Sequence, residues 1–272
     1  MNATQQYLVN GRSEPLISPA DRGLVYGDGV FRTMRVELGL VRCWDLHYRK
    51  LREDCAGLKL ACPSAEVLLD DIGHLFAGEE VAVAKIIVTR GEGARGYAVP
   101  ASTLPTHIVL KSPFPAYAPE NFTAGVDLYL CRLRLSRQPR LAGIKHLNRL
   151  ENVLARMEWT EGRFADGLLL DDKGRVIECT MSNLFARFGK MLLTPDLTQC
   201  GVAGITRQRI LEVAPQLGYR PRVAHLPLSR LMQADEIIIC NSLYGVWQVK
   251  SLDEQHWQPQ QLAAELRPLL WN

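Results

Sequence analysis

The chain alternates between strand-like and helix-like spacing of its apolar residues. Tyr7-Leu-Val9 predicts a short strand turned by Asn10-Gly11, and residues 30–40 predict a strand that enters a hairpin through Gly39. Period two places Phe31, Thr33 and Arg35 on one face of that second strand. The spacing then becomes helical. Leu51, Cys55 and Leu58 form the apolar line of a helix capped by Asp45, with His47, Arg49, Lys50 and Arg52 on its other sides. Another helix is expected over 64–76, then β-branched strands over 81–89 and 106–111.

Ser112-Pro-Phe-Pro-Ala-Tyr-Ala-Pro-Glu120 reads as a linker, because its prolines suit neither helix nor strand. The chain is therefore expected to divide into an N-terminal small domain, residues 1–115, and a C-terminal domain, residues 116–272. Beyond the linker, 125–135 alternates as a strand, while Leu147, Leu150, Leu154 and Met157 recur at helical spacing and are expected to bury one stripe. Two hairpins follow, one turning at Asp171-Asp-Lys-Gly174 and one at Gly189. A helix over 205–214, a buried-type strand over 236–240 and a packing helix around Leu262, Leu266 and Leu269 complete the pattern. The mixture predicts an α+β protein.

Composition narrows the classes of function. Among 272 residues, 32 basic side chains nearly balance 29 acidic ones, and with no basic run the net +3 gives no footprint for nucleic acid. No stretch approaches the length of a membrane span, and residues 1–16 carry no apolar leader, so a soluble, cytoplasmic protein is expected. The seven cysteines are scattered without a Cys-x-x-Cys pair, which indicates neither a disulfide framework nor a metal site.

Within this frame several residues suit chemistry. Lys145 sits where the stretch broken by Pro139 and Gly143 runs into a helix, and shielding by Ile144 and Leu147 would favour an uncharged, nucleophilic or Schiff-base-forming amine. Glu178 shares a strand face with Val176 and Thr180, and a carboxylate on so apolar a strand wants a partner. Gly201 and Gly204 precede Ile205-Thr206 at a helix start, whose free amides and hydroxyl suit an anion such as phosphate. The three glycines of Asp21-Arg-Gly-Leu-Val-Tyr-Gly-Asp-Gly29 let backbone approach something closely. Gly91-Glu-Gly-Ala-Arg-Gly96 has the letters of a dinucleotide fingerprint, yet Tyr97-Ala-Val-Pro100 follows where a helix should begin. That loop instead presents Arg95 and Tyr97, a guanidinium suited to a carboxylate among them. A lysine for an imine, an acid for a pyridine nitrogen and amides for a phosphate together fit pyridoxal phosphate.

From Val9-Asn-Gly11 to Asn241-Ser242 the chain resembles the fold-type IV pyridoxal phosphate enzymes, a family of branched-chain and D-amino-acid transaminases and aminodeoxychorismate lyases. The resemblance is strongest at Leu141-Ala-Gly-Ile-Lys-His-Leu-Asn-Arg-Leu-Glu151, which is similar to the lyase form of the lysine motif. It implies a smaller N-terminal α/β domain, a larger C-terminal domain with a β-barrel-like core, and pyridoxal 5'-phosphate as cofactor. By the same resemblance Lys145 binds the cofactor and Glu178 pairs with its ring nitrogen. Gly204, Ile205, Thr206, Asn241 and Ser242 hold the phosphate, and Ser182-Asn183 lie close by. Tyr26 and Thr33 fall at pocket positions, with Arg95 and Tyr97 near the substrate carboxylates. A homodimer is implied as well.

One position departs from the family. Where His-x-x-Arg-Leu is usual, His47-Tyr-Arg-Lys-Leu51 offers Lys50, with Arg49 one residue early; lysine neutralises a phosphate as a point charge but lacks the bidentate fork. Either Lys50 or Arg49 is the phosphate cation. The resemblance further implies β-elimination from 4-amino-4-deoxychorismate to give 4-aminobenzoate and pyruvate. Lys145 would be the general base and Thr33 an assistant near the leaving group. A transaminase on the same scaffold is the nearest rival. A binding module without turnover is the third reading, and the presence of both Lys145 and Glu178 argues against it.

Overall fold

The computed structural model describes residues 6–14, 16–160, 162–258 and 261–270. The expectation of no apolar leader at the start of the chain falls partly on residues 1–5, outside the described residues. Two compact units are present: Met1–Pro115 with Ile144–Asn148, and Ala116–Gly143 with Arg149–Asn272.

The first unit contains β1 (Gln6–Val9), α1 (Arg22–Tyr26), β2 (Gly29–Glu37), β3 (Leu40–Val41), α2 (Trp44–Gly57), α3 (Ala65–Phe76), β4 (Val81–Thr89) and β5 (Thr106–Pro113). Its strands pair antiparallel in the order β1-β5-β4-β2-β3. On β2 the alternation is regular. Val30, Met34 and Val36 are buried against Leu51 and Cys55 of α2 and Leu68, Ile72 and Phe76 of α3, while Phe31, Thr33 and Arg35 are half-buried on the opposite face. The sheet thus has one face sealed by helices and one left for other uses.

Local signals explain most boundaries. Ser64 caps α3 by accepting the Val67 amide. The cap expected at Asp45 is not found: Cys43, at φ 55°, precedes α2 without a side-chain cap, and Asp45 lies in the first turn, where its charge favours the helix dipole. His47 also departs from expectation, being buried rather than on an outer side, because it stands one helical turn before Leu51 and shares its face. The glycine-rich stretch 21–29 is not simply a loop; Asp21 caps the single turn of α1 through the Gly23 amide.

Ile144–Asn148, expected within residues 116–272, belongs to the first unit because its backbone pairs with the start of β2. The Phe31 amide donates to the Lys145 carbonyl at 2.9 Å and the Leu147 amide to the Gly29 carbonyl at 3.0 Å. A side chain at Gly29 could not fit, since its Cβ would stand 2.5 Å from the Val88 carbonyl oxygen and 2.7 Å from Leu147. At Gly27, with φ +67°, a Cβ would collide with Asn148. The glycines thus admit the lysine motif itself.

The second unit comprises α4 (Glu120–Thr123), β6 (Val126–Leu135), α5 (Leu150–Arg156), β7 (Phe164–Asp171), β8 (Arg175–Cys179), β9 (Asn183–Phe188), β10 (Met191–Pro195), α6 (Ile205–Val213), β11 (Arg220–Ala224), β12 (Leu226–Pro227), α7 (Leu228–Leu231), β13 (Glu236–Asn241), β14 (Gly245–Leu252), β15 (Gln255–His256) and α8 (Leu262–Leu266). Its sheet runs β11-β10-β9-β13-β14-β6-β7-β8-β12, with β15 beside β14. The end strands β11 and β12 are separated only by His225, so the sheet must curl into a nearly closed, barrel-like form. One face encloses Leu128, Leu168, Leu184, Ile237 and Trp247, and the other packs Phe185, Leu192 and Ile238 against Ile210 of α6 and Leu262 and Leu266 of α8. Burial on both faces explains why β13 reads as a continuous apolar run.

The helix after Lys145 differs from its expectation. α5 covers only Leu150–Arg156, and Leu150, Leu154 and Met157 are 75%, 54% and 72% exposed. Helical spacing identified a real apolar face, but within this chain that face meets solvent rather than core. All seven cysteines are free thiols, five of them buried.

Candidate active site

In the first unit the site is built around Lys145. Its carbonyl is fixed by Phe31, its amide donates to Asp54 Oδ2 at 3.3 Å, and its Nζ lies 4.6 Å from the Phe31 ring centroid. Lys85, directly across β4 from Thr33, brings a second ammonium to 5.0 Å from the same ring. Lys145, Phe31, Thr33 and Lys85 therefore collect at the open face of the sheet, and Lys85 is a cation that sequence spacing alone passed over.

Behind them lies Asp54, fully buried on α2. It accepts from Arg32 Nη2 at 2.5 Å, is ion-paired with Lys50, and takes the Lys145 amide. A carboxylate so deep persists because cations and an amide compensate its desolvation. Lys50 is half-buried in that contact, whereas Arg49 is exposed. Next to the cluster, burial and the Arg32 charge push the His47 imidazole down to about 3, so it is neutral at ordinary pH.

The glycine-rich loop after β4 carries Arg95 and Tyr97, both exposed. Tyr26 of α1 lies beside it, its hydroxyl accepting the Gly96 amide at 3.1 Å and its ring 5.3 Å from that of Tyr97. The loop contains no helix, in agreement with the rejection of a dinucleotide site.

In the second unit Glu178 is 4% exposed on β8, and its Oε2 accepts the Val202 amide at 2.8 Å. Segment 201–203 is held in turn by Gly143, whose amide donates to the Gly201 carbonyl at 2.8 Å and whose carbonyl accepts the Ala203 amide at 3.2 Å. Asn183 spans the same segment, donating to the Val202 carbonyl at 2.8 Å and accepting the Gly204 amide at 3.0 Å. A Cβ on Gly204 would stand 2.4 Å from Asn183 Oδ1, which explains the glycine before α6. The first amides of α6 have no intrahelical acceptor and flank buried Thr206, an arrangement suited to a phosphate.

Ser182 faces inward. It donates to Asp166 Oδ2 at 2.5 Å and stands 2.6 Å from the Tyr244 hydroxyl, and Thr180 donates to Asp166 Oδ1. Burial raises the Asp166 carboxyl despite these hydrogen bonds. The cluster braces the turn between Glu178 and Asn183 from behind. Asn241 Oδ1 accepts the Leu243 and Tyr244 amides and so shapes the turn that contains Ser242. Arg149 in the lysine motif feels the Glu178 charge, though burial lowers its pKa. Asp54, Arg32, Asp166 and Tyr244 were missed from sequence. Only Asp54 left a sign there, lying next to Cys55 of the apolar line and one helical turn after Lys50.

Among the described residues no cluster of side chains suits a metal, and no helix is long and apolar enough to cross a membrane. Each unit offers groups that could hold pyridoxal phosphate: in the first, a lysine anchored through its backbone; in the second, a buried carboxylate that accepts the Val202 amide, and a glycine-led helix start with a buried threonine.

Comparison with known proteins agrees. The amino-transferase class IV family matches residues 29–252, and the chain belongs to it. It is 37% identical over 246 residues to an aminodeoxychorismate lyase of Vibrio harveyi, covering 90% of this chain and 91% of that protein. The crystal structure of 4-amino-4-deoxychorismate lyase from Pseudomonas aeruginosa is similar at 44% identity and TM-score 0.92, over 96% of this chain and 97% of that one. A D-alanine aminotransferase of Bacillus licheniformis is 30% identical, over 91% of this chain and 88% of that protein.

Proposed function

We propose that this protein is a pyridoxal-phosphate-dependent lyase that converts 4-amino-4-deoxychorismate to 4-aminobenzoate and pyruvate by β-elimination. The observation that carries this reading is the likeness to the Pseudomonas aeruginosa lyase, at 44% identity over 96% of the chain. When bound, the cofactor supplies an electron sink for the charge left at the amine-bearing carbon.

The chain's own residues do the rest. Lys145 would hold the cofactor, and its amine would serve as the general base that takes the proton from the amine-bearing carbon of the substrate. Its backbone bonds to Phe31 and Asp54 keep that amine in reach of a single region. Glu178, buried and aligned by Val202, keeps the ring nitrogen protonated. Thr206, the amides after Gly204, the Asn241-Ser242 turn and Lys50 hold the phosphate; the exposure of Arg49 favours Lys50 as the cation. Thr33 hydrogen-bonds near the leaving oxygen, and Arg95 and Tyr97 read the carboxylates. Loss of the proton and cleavage of the neighbouring carbon–oxygen bond leave an aromatic ring and release the enolate of pyruvate, which takes up a proton at its terminal carbon to become pyruvate.

Purified protein given aminodeoxychorismate without any keto acid should release pyruvate stoichiometrically with 4-aminobenzoate. Turnover only of an amino acid plus a keto acid would instead establish the transaminase reading, which the 30% identity to the Bacillus licheniformis D-alanine aminotransferase supports. Absence of cofactor uptake, with no borohydride adduct at Lys145, would remove both and leave a binding module. We further read the protein as a cytoplasmic homodimer; the exposed apolar face of α5 supports the dimer.

A further inference from the structure

The exposed loop 91–99 is bound along its backbone by one buried side chain. Arg22, the first residue of α1, donates through Nη1 to the Gly96 carbonyl at 3.1 Å and the Ala98 carbonyl at 3.4 Å, and through Nη2 to the Tyr97 carbonyl at 3.2 Å. Its own amide donates to the Gly91 carbonyl at 2.8 Å, so one residue holds both ends of the loop. The stem is equally close, since a Cβ on Gly93 would lie 2.8 Å from Arg22 Cδ. Tyr26, one turn further along α1, takes the Gly96 amide and packs its ring under the Arg22 guanidinium at 5.0 Å.

Arg22 is itself held from behind. Its Nε donates to Asp28 Oδ2 at 2.9 Å, and Asp28 is gripped through both oxygens by Arg90, at 2.7 and 2.9 Å. Arg90 in turn donates to the Leu58 and Lys59 carbonyls at the end of α2. The loop is thereby tied to the helical layer of the unit. Arg95 lies between Gly93 and Gly96, both of which touch this clamp, while its own side chain is exposed.

We propose that Arg22 is the positioning residue that fixes the 91–98 loop and thereby the guanidinium of Arg95 for a substrate carboxylate. This inference rests on the reading of Arg95 given above and extends it to a residue that touches neither substrate nor cofactor. Arginine is needed because three carbonyls that fan across two nitrogens require a planar fork; lysine supplies a single compact centre.

The holoenzyme tests this with Arg22→Lys. Trypsin cleaves after arginine, so native-state cleavage of the Arg95–Gly96 bond reports how often the loop opens. Loss of one or two hydrogen bonds from a charged donor should accelerate that cleavage about tenfold. The same variant should raise KM about tenfold with kcat within about twofold, and the bound-cofactor absorption spectrum should not change. In an Arg95→Ala background the Arg22→Lys effect on KM should largely vanish, because the two act as one unit. Unchanged cleavage at Arg95, or an undiminished KM effect in the double variant, overturns the proposal. Should Arg22→Lys fail to fold, Tyr26→Phe removes only the acceptor of the Gly96 amide; it must also speed cleavage at Arg95, and no acceleration overturns the proposal. If the wild type does not turn over aminodeoxychorismate, the lyase reading fails and the proteolysis alone decides the role of Arg22.

Discussion

The amide of Val202 donates to Glu178 Oε2 at 2.8 Å, and the residues on either side of Val202 are bonded to Gly143, two positions before Lys145 in the chain. The acid is thus tied to the backbone segment that Gly143 holds, which limits its misplacement. A substitution that keeps this hydrogen bond while removing the charge isolates the electrostatic role. Glu178→Gln retains an acceptor for Val202 and should fold with an unfolding midpoint close to wild type. Its kcat for pyruvate release should fall by roughly 10²-fold or more, on the scale of a lost acid–base partner. Full activity in Glu178→Gln would show that the charge is not used.

Asp54 predicts a different balance of effects. Replacing it by Asn leaves Arg32, itself buried, without its counter-charge, and removing one partner of a buried pair costs about 3–5 kcal/mol. Urea unfolding of Asp54→Asn should show that loss as a lower midpoint at unchanged slope. Because Asp54 also takes the Lys145 amide and pairs with Lys50, cofactor affinity measured by absorbance titration should weaken in the same variant. A variant as stable as wild type would mean that Arg32 finds another partner.

How much of this was legible in the sequence follows from the range of each interaction. The strand Val81–Thr89, the Ser64-capped α3 and the glycine-led α6 are set by neighbours within a few residues, and periodicity finds them. Glu178 stood out as a carboxylate on an otherwise apolar strand, and Lys145 as an amine at the junction of an irregular stretch and a helix. The groups that hold them did not. Asp54 meets Lys145 across 91 residues of chain, and Arg22 meets Ala98 across 76, separations at which spacing carries no information. His47 was misread for another reason: its polarity suggested an outer side, although it stands four residues before Leu51 and therefore on the buried face.

His47 gives a pH dependence whose sign can be worked out. Burial and the Arg32 charge hold its folded pKa at about 3, below the ordinary imidazole value of about 6.5, so the unfolded chain binds the proton more readily. Stability is therefore fully present above about pH 6.5 and is lost as pH falls toward 3. Between pH 6.5 and 4.5 the loss should reach about 2–3 kcal/mol, two pH units at about 1.4 kcal/mol each. Carboxylates held low in the fold, such as Asp28 with Arg90 and Arg22, lose their contribution only at lower pH, whereas Asp166 and Glu236, raised by burial, act with the opposite sign, so the share of the imidazole in this window is the difference between wild type and a His47 variant. His47→Gln should flatten the urea-derived stability profile across it. A profile as steep in His47→Gln as in wild type would assign the loss to other groups.

The exposed face of α5 leads to the last expectation. Leu150, Val153 and Leu154 of α5 and Met157 just after it stand 75%, 52%, 54% and 72% exposed, although their spacing is that of a buried stripe. Single exposed apolar residues are ordinary on a protein surface, but four grouped at one helix form a patch of the kind that marks an interface. Burying them against a second copy would remove about 1.5–3 kcal/mol of exposed-side-chain cost per large residue and favour a closed, two-fold assembly. Light scattering should therefore give the mass of two chains at micromolar concentration. Leu154→Glu, together with Leu150→Glu, should convert the protein to monomer, because a carboxylate buried in an apolar contact is strongly unfavourable. Since the face lies outside the core of its own chain, far-ultraviolet circular dichroism of the double variant should match wild type. A wild-type protein that runs as a monomer, or a double variant that stays dimeric, would mean that α5 does not form the contact.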